Sequence, residues 1–223
     1  MREKLGSLLF GGSCYLCRGS AAGVLCADCD ADLPRLPAEV CPRCALDSPA
    51  GALCGRCLAR PPHFDATVAA LVYEFPADTL VHALKFRGEL ALAGILGKLL
   101  AKAAKEEAID CVVPVPLSPA GLRRRGYNQA AEIARELGVS RIELSLCERT
   151  RDGPPQIELP FAERQRNVRG AFRCNRTIAG ARVAVVDDVM TTGATLDEMA
   201  RTLKAAGAER VVNWVVARTP PHD

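Results

Sequence analysis

The 223-residue chain carries 29 basic and 26 acidic side chains, a formal balance of +3, with 49% apolar and 25% charged residues. That composition excludes intrinsic disorder and fibrous repeats, and no uncharged apolar run approaches the ~20 residues needed to span a bilayer. Aromatics are only 4%, so a core must be built from Val, Leu, Ala and Ile, while cysteine is over-represented at 11. The start, MREKLGSLLFGG, has only a brief apolar stretch and no cleavage site, so the chain reads as cytosolic, where paired cysteines hold metal more often than they form disulfides.

Eight cysteines precede residue 58 as four C-x-x-C pairs: Cys14 with Cys17, Cys26 with Cys29, Cys41 with Cys44, and Cys54 with Cys57. Two-residue spacing lets both thiolates of a tight turn face one ion, and two such knuckles complete the closed tetrahedral site of structural zinc. Two Zn²⁺ ions are expected. Sequential pairing closes the shorter loops and is favoured, although an interleaved pairing satisfies the same spacing. Residues 1–60 hold seven basic and six acidic side chains, thin support for phosphate-backbone binding by this module alone. Cys111, Cys147 and Cys174 lack ligand spacing and read as packing residues.

Pro61-Pro62 marks the exit into a second region, 61–223, that reads as an α/β domain. Phe64 to Phe75 predicts a strand, and Asp78 to about Lys105 a helix with Leu80, Leu84, Ile95 and Leu99 on its apolar stripe, interrupted or bent at Gly88. A strand from Cys111 ends in Pro114 and Pro116, and Ser118-Pro119 opens a helix as N-cap and first residue. Asn128 to Leu137 predicts a helix, Arg141 to Leu146 a strand, and Arg149 to Gly170 a long loop. Arg182 to Val186 is apolar on both faces, Gly193 to Ala206 is helical with Leu196, Met199 and Leu203 on one side, and Val211 to Val216 is the last strand. The alternation predicts a parallel sheet flanked by helices, with ligands at its carboxyl edge.

The sharpest constellation is Val185-Val186-Asp187-Asp188-Val189-Met190-Thr191-Thr192-Gly193-Ala194-Thr195. A buried strand delivers two carboxylates, then a small, hydroxyl-rich loop leads into a helix. The amides of 191–195 and the helix N-terminus make an anion cradle, and Gly193 permits close approach. Carboxylates would repel a phosphate directly but suit sugar hydroxyls, so a phosphorylated ribose satisfies both halves. No G-x-x-x-x-G-K-[ST] is present.

These residues resemble the 5-phosphoribosyl-1-pyrophosphate (PRPP) motif of type I phosphoribosyltransferases. With the cysteine module in front, the chain is similar to the ComF/ComFC family, associated with natural competence. His82-Ala83-Leu84-Lys85-Phe86-Arg87-Gly88, Val113-Pro114-Val115-Pro116, Arg125-Gly126-Tyr127-Asn128-Gln129 and the Pro155-Gln156 to Arg166-Asn167 stretch are its companions. The resemblance implies a type I phosphoribosyltransferase-like fold behind a double zinc-ribbon module. It implies that Asp187 and Asp188 hold the ribose hydroxyls and that Thr191, Thr192, Gly193, Ala194 and Thr195 cradle the 5-phosphate. The turn after Val115-Pro116 approaches pyrophosphate under a hood formed by 149–170, with Mg²⁺ carried by ligand oxygens. It further implies phosphoribosyl transfer, other competence proteins as partners, and a cytoplasmic location, at most peripheral at the inner face of the membrane. Three roles remain open: DNA handling with PRPP as ligand, transfer to an unidentified base or other acceptor, and PRPP sensing without turnover.

Between Ser118 and Arg176 lie twelve arginines, seven acids and no lysine. The planar fork of arginine suits phosphate, and Arg123-Arg124-Arg125 with Tyr127 offers charge beside an aromatic platform, a pattern usable by single-stranded DNA. Eight zinc-bound thiolates would shift residues 1–60 from +1 to −3, which moves any polyanion binding into this arginine-rich body.

Overall fold

The structure, a computed structural model, describes residues 12–104, 108–151 and 168–221. Short elements frame the early cysteines: β1 (Gly12–Ser13) pairs antiparallel with β2 (Ser20–Ala21), and α1 (Ala27–Ala31) and α2 (Gly55–Ala59) begin directly after Cys26 and Cys54. The body then runs β3 (Ala66–Val72), α3 (Ala77–Phe86), α4 (Ala91–Ala103), β4 (Cys111–Pro114), α5 (Pro119–Arg125) and α6 (Gln129–Arg135). It continues through β5 (Cys147–Arg149), β6 (Phe172–Cys174), β7 (Arg182–Met190), α7 (Ala194–Ala205) and β8 (Arg210–Arg218).

Four strands form one parallel sheet in the order β3-β8-β7-β4. Successive side chains of a strand face opposite ways, and both faces of this sheet are covered. Ala184 and Val186 pack with Leu80, Leu84, Leu96, Leu100 and Ile133 on the face covered by α3, α4 and α6. Val183 and Val185 pack with Leu196, Met199 and Leu203 of α7 on the other. Each fully buried side chain of this size contributes about 1.5–3 kcal/mol relative to exposure. Where α4 crosses α6 the backbones nearly touch: a Cβ on Gly97 would lie 2.5 Å from Glu136 Cβ and 2.9 Å from the Ile133 carbonyl.

The cysteine-rich segment is built into this sheet. Residues 34–36 run antiparallel to the β3 edge, with an Arg35–Leu71 bridge, Val72 N–H donating to Pro34 O at 2.8 Å and Leu36 N–H to Ala70 O at 3.3 Å. Cys14, Leu25 and Leu33 join the core on the α3–α4 face, whereas Cys41, Cys44 and Cys57 join the core beneath α7. The two halves of the module therefore straddle the sheet edge.

One expectation from periodicity is sharpened and two change. At Gly88 the helix from Asp78 is interrupted rather than bent: Gly88 takes φ +72° in the left-handed region and ends α3. The strand at 141–146 reduces to one parallel bridge, Ile142 with Val112, since the chain turns at 144–145 toward β5. The strand at 182–186 is longer, running through both aspartates to Met190 because β8 supplies partners as far as Arg218. The long loop stands on an antiparallel foot formed by β5 and β6, and its central stretch 152–167, including Pro155-Gln156 and Arg166-Asn167, lies outside the described residues.

Candidate functional site

The eight early cysteines gather sequentially, Cys14, Cys17, Cys26 and Cys29 in one group and Cys41, Cys44, Cys54 and Cys57 in the other, all sulfurs of a group lying within 4.8 Å of one another. The interleaved pairing is not the one formed. The sulfurs of Cys17 and Cys26 lie 3.7 Å apart and those of Cys44 and Cys54 3.6 Å apart. A tetrahedron with Zn–S bonds of ~2.3 Å has an edge of about 3.8 Å, so the groups fit zinc closely. Backbone N–H groups of Gly19, Cys29 and Cys54 donate to the sulfurs of Cys17, Cys26 and Cys41. Burial opposes ionisation of Cys14 and Cys41, yet surrounding backbone N–H donors bring them down to about 6 and about 7. Hydrogen bonding to Cys26 and burial push Cys29 up to about 12. Neighbouring sulfurs thus cannot all ionise without a cation among them, as structural zinc provides.

The second centre lies at the carboxyl end of β7. Its neighbour β4 stops at Pro114, which pairs with Val186, so Asp187 and Asp188 stand immediately beyond the end of that strand. Alternation turns them to opposite faces. Asp188 is buried on the α3 side, where Lys85 Nζ lies 3.0 Å from Oδ2 and 3.2 Å from Oδ1. Burial pulls the Lys85 ammonium down, but the charges of Asp188 and Asp187 hold it above the usual lysine range. Among the described residues Asp187 has no such direct cation: enclosure by the protein and the Asp188 charge raise its carboxyl to about 7. Asp187 Oδ1 accepts from the Asp188 N–H at 2.9 Å.

From these acids the chain enters the 191–195 loop and then α7. Gly193 takes φ +83° at the start of the helix, and a Cβ there would meet Met190 Cε at 2.7 Å. Thr192 Oγ1 accepts from the Ala194 N–H at 3.1 Å, an ordered turn beside the exposed Thr191. Two arginines hold the back of the loop. Arg218, at the end of β8, is 2% exposed and donates to the carbonyls of Met190 and Thr191 at 2.8 and 2.6 Å. Burial brings its guanidinium down to about 10, so it remains protonated at neutral pH. Arg56 of α2 donates to Thr192 O at 3.0 Å.

The turn after β4 closes the other side. Val115 N–H donates to Val186 O at 2.9 Å, and Asn128 Nδ2 donates to Val115 O at 3.0 Å, while Ser118 caps α5 through the Gly121 N–H. The arginine run at the end of α5 is divided by this geometry. Arg123 and Arg124 are exposed, but Arg125 turns inward, donates to Gln129 Oε1 and lies 5.5 Å over the Phe86 ring. Tyr127 is not an open platform: its hydroxyl donates to the Leu84 carbonyl and its ring packs against the core. Spacing in sequence could not show this, because the corner at Gly126 reverses the chain between the two. The late cysteines pack as expected, Cys111 and Cys147 buried in the core beneath α7 and Cys174 packed against it, and Cys147 and Cys174 also face each other across β5 and β6.

Three contributors escaped the sequence. Lys85 was visible only as part of a shared motif, Arg56 as a module charge, and Arg218 as the ordinary end of a strand. Only the fold brings them to residues 187–192, across contacts that span 27 to 136 positions.

A model of the phosphoribosyl transferase domain matches residues 92–222, more than half of the chain, and a double zinc ribbon domain matches residues 5–58. The DNA utilization protein YhgH of Salmonella typhimurium is 34% identical, over 93% of this chain and 97% of that protein. Competence protein F of Haemophilus influenzae is 30% identical, over 92% and 96%. A solved structure of the allosteric regulatory enzyme of purine biosynthesis overlays 55% of this chain and 25% of that one at 29% identity, with a TM-score of 0.37. A parallel sheet flanked by helices, matched by the phosphoribosyl transferase domain model, defines the class as phosphoribosyltransferase-like, a transferase fold. With a double zinc ribbon in front, the chain belongs to the ComF/ComFC family.

Proposed function

We propose that this protein binds PRPP at the carboxyl end of β7 and uses it in the handling of incoming single-stranded DNA. The observation that carries the reading is the placement of Asp187 and Asp188 just beyond Pro114, ahead of the arginine-backed loop 191–195. A ribose whose hydroxyls face the carboxylates has its 5-phosphate over the amides of 191–195, at the start of α7. The pyrophosphate then faces the turn at 115–118, with Arg125 the nearest inward cation of α5. Mg²⁺ would enter on the phosphate oxygens, supplying charge neutralisation to pyrophosphate.

Where turnover takes place, the bond from the anomeric carbon to pyrophosphate breaks as positive charge grows on the ribose ring. Asp187 and Asp188 are the groups placed to stabilise that charge. The DNA role draws support from the names of the relatives, a DNA utilization protein and a competence protein. The proposed site of action is cytoplasmic, at most peripheral to the inner face of the membrane; no helix of the described residues is long and apolar enough to cross a membrane.

Calorimetry tests the reading. PRPP should bind in a Mg²⁺-dependent way, and Asp187→Ala/Asp188→Ala should abolish the heat. Unchanged affinity in that variant would overturn the site. Pyrophosphate release screened over purine, pyrimidine and nicotinate acceptors then separates transfer from ligand binding alone.

A further inference from the structure

We propose that the second cysteine quartet braces the anion loop through two positioning residues, Arg218 and Arg56, so that zinc-ribbon geometry sets the readiness of the loop for phosphate. The proposal rests on the PRPP reading for the identity of the anion, but not for the brace itself.

Arg218 is a buried cation with an unusual set of partners. Its Nε donates to the carbonyl of Cys44 at 2.8 Å, and its Nη1 faces the carbonyls of Met190, Thr191 and Thr219 at 2.8, 2.6 and 2.8 Å. Among the described residues no carboxylate pairs with it. A buried charge held by backbone carbonyls, with the sulfurs of Cys44 and Cys57 nearby, is costly where simple packing would suffice, since an aliphatic side chain fills space without desolvating a guanidinium. What the rigid fork adds is fixed orientation of several carbonyls at once. One of these belongs to a residue of the second quartet, and two belong to the run that enters the loop. Arg56, between Cys54 and Cys57, extends the same device by one residue through Thr192 O.

The consequence follows from peptide geometry. In a trans peptide the C=O of one residue and the N–H of the next point in opposite directions. Carbonyls of Met190, Thr191 and Thr192 are all held toward the ribbon. The N–H groups of Thr191, Thr192 and Gly193 are therefore aimed away from it, as a concave run of donors suited to an anion. Phe64 fills the space behind: it packs with Cys44 and Cys57 in the same core and lies 3.8 Å from the position a Cβ on Gly193 would take. The first quartet, on the opposite face of the sheet, makes no such link among the described residues.

Hydrogen exchange on the ligand-free full-length protein tests the brace. Arg56 is exposed, so Arg56→Ala should keep two zinc ions and the unfolding midpoint of the parent while exchange at 191–193 accelerates by about tenfold. Arg218→Lys keeps a charge but loses the fork, and should accelerate the same amides further. In calorimetry Mg²⁺-PRPP affinity should fall in step. Unaltered exchange at 191–193 in Arg56→Ala, with zinc content intact, overturns the proposal whatever happens to Arg218→Lys. If the parent binds no PRPP yet both variants loosen the loop, the brace stands and the PRPP reading fails.

Discussion

Lys85 and Asp188, 103 positions apart, form an ion pair at 3.0 Å that pins α3 to the carboxyl end of β7. The Asp188 side chain is only 3% exposed, so its charge depends on this partner. Breaking one side of such a pair leaves an uncompensated buried charge. Lys85→Met should therefore destabilise the protein by about 3 kcal/mol in urea unfolding. Lys85→Met/Asp188→Asn should recover most of that loss, because both charges are gone. Equal instability of the single and double variants would show that Lys85 matters for packing rather than for the pair.

Asp187 carries the opposite electrostatic problem. Enclosure and the Asp188 charge lift its carboxyl to about 7, well above the range of an unfolded chain. Between about pH 4 and pH 7 the folded protein then keeps a proton that the unfolded chain has released, so stability falls as pH rises through that window. Asp187→Asn removes the group and should flatten the pH dependence, leaving the variant more stable than the parent at pH 8. On the proposed PRPP reading it should also abolish PRPP binding, since a neutral amide lacks the charge a carboxylate would offer to ribose hydroxyls. The parent should bind more tightly at pH 8 than at pH 6. A variant that melts below the parent at pH 8 would contradict the raised carboxyl.

Both residues show which features a sequence can reveal. The adjacent aspartates, the hydroxyl-rich loop and the four cysteine pairs are local in the chain, and their chemistry is written in type and spacing. Buried strands are legible because a run such as Arg182 to Val186 must be apolar on both faces in a covered sheet. What stayed hidden depends on strand order. With β8 between β3 and β7, the end of β8 reaches the 190–192 turn, which no periodicity encodes. Gly88 marked an interruption or a bend, and residue type alone could not choose between them, because the choice lies in the positive φ the folded chain adopts there. The straddling of the sheet edge by the cysteine module is equally non-local: it requires residues 34–36 to pair with β3.

Cys147 and Cys174 are directly opposed in an antiparallel pair. Thr150 N–H to Ala171 O and Asn175 N–H to Leu146 O mark the hydrogen-bonded positions, which leaves the cysteines at a non-hydrogen-bonded one. Cα atoms there are about 4.5 Å apart, inside the range a disulfide needs. Burial and the neighbouring Cys174 push the Cys147 thiol up, so the partly exposed Cys174 is the first to attack. Glutathione disulfide should convert the two thiols into one disulfide and release two glutathione thiols. Peptide mass mapping should find the Cys147–Cys174 cross-link in the zinc-loaded protein, and Cys174→Ser should remain free of it. Cross-links scattered over the zinc quartets instead would contradict the assignment.

The divided arginine run makes a separable prediction for nucleic acid. Exposed Arg123 and Arg124 can each neutralise a phosphate, whereas Arg125 is committed to Gln129 and Phe86 beside the acids. On single-stranded DNA each neutralised phosphate contributes a salt slope of about −0.7, so Arg123→Ala/Arg124→Ala should weaken binding and flatten that slope by about 1.4. Arg125→Ala should leave the slope nearly intact, because its guanidinium is not free to follow a backbone. On the proposed PRPP reading its effect falls on PRPP affinity, because the inward cation of α5 is lost. The two variants should therefore dissociate the activities, one losing salt-sensitive DNA binding and the other PRPP affinity. If Arg125→Ala flattens the DNA slope as much as the double variant, the run acts as one solvated patch and the inward turn of Arg125 does not govern its chemistry.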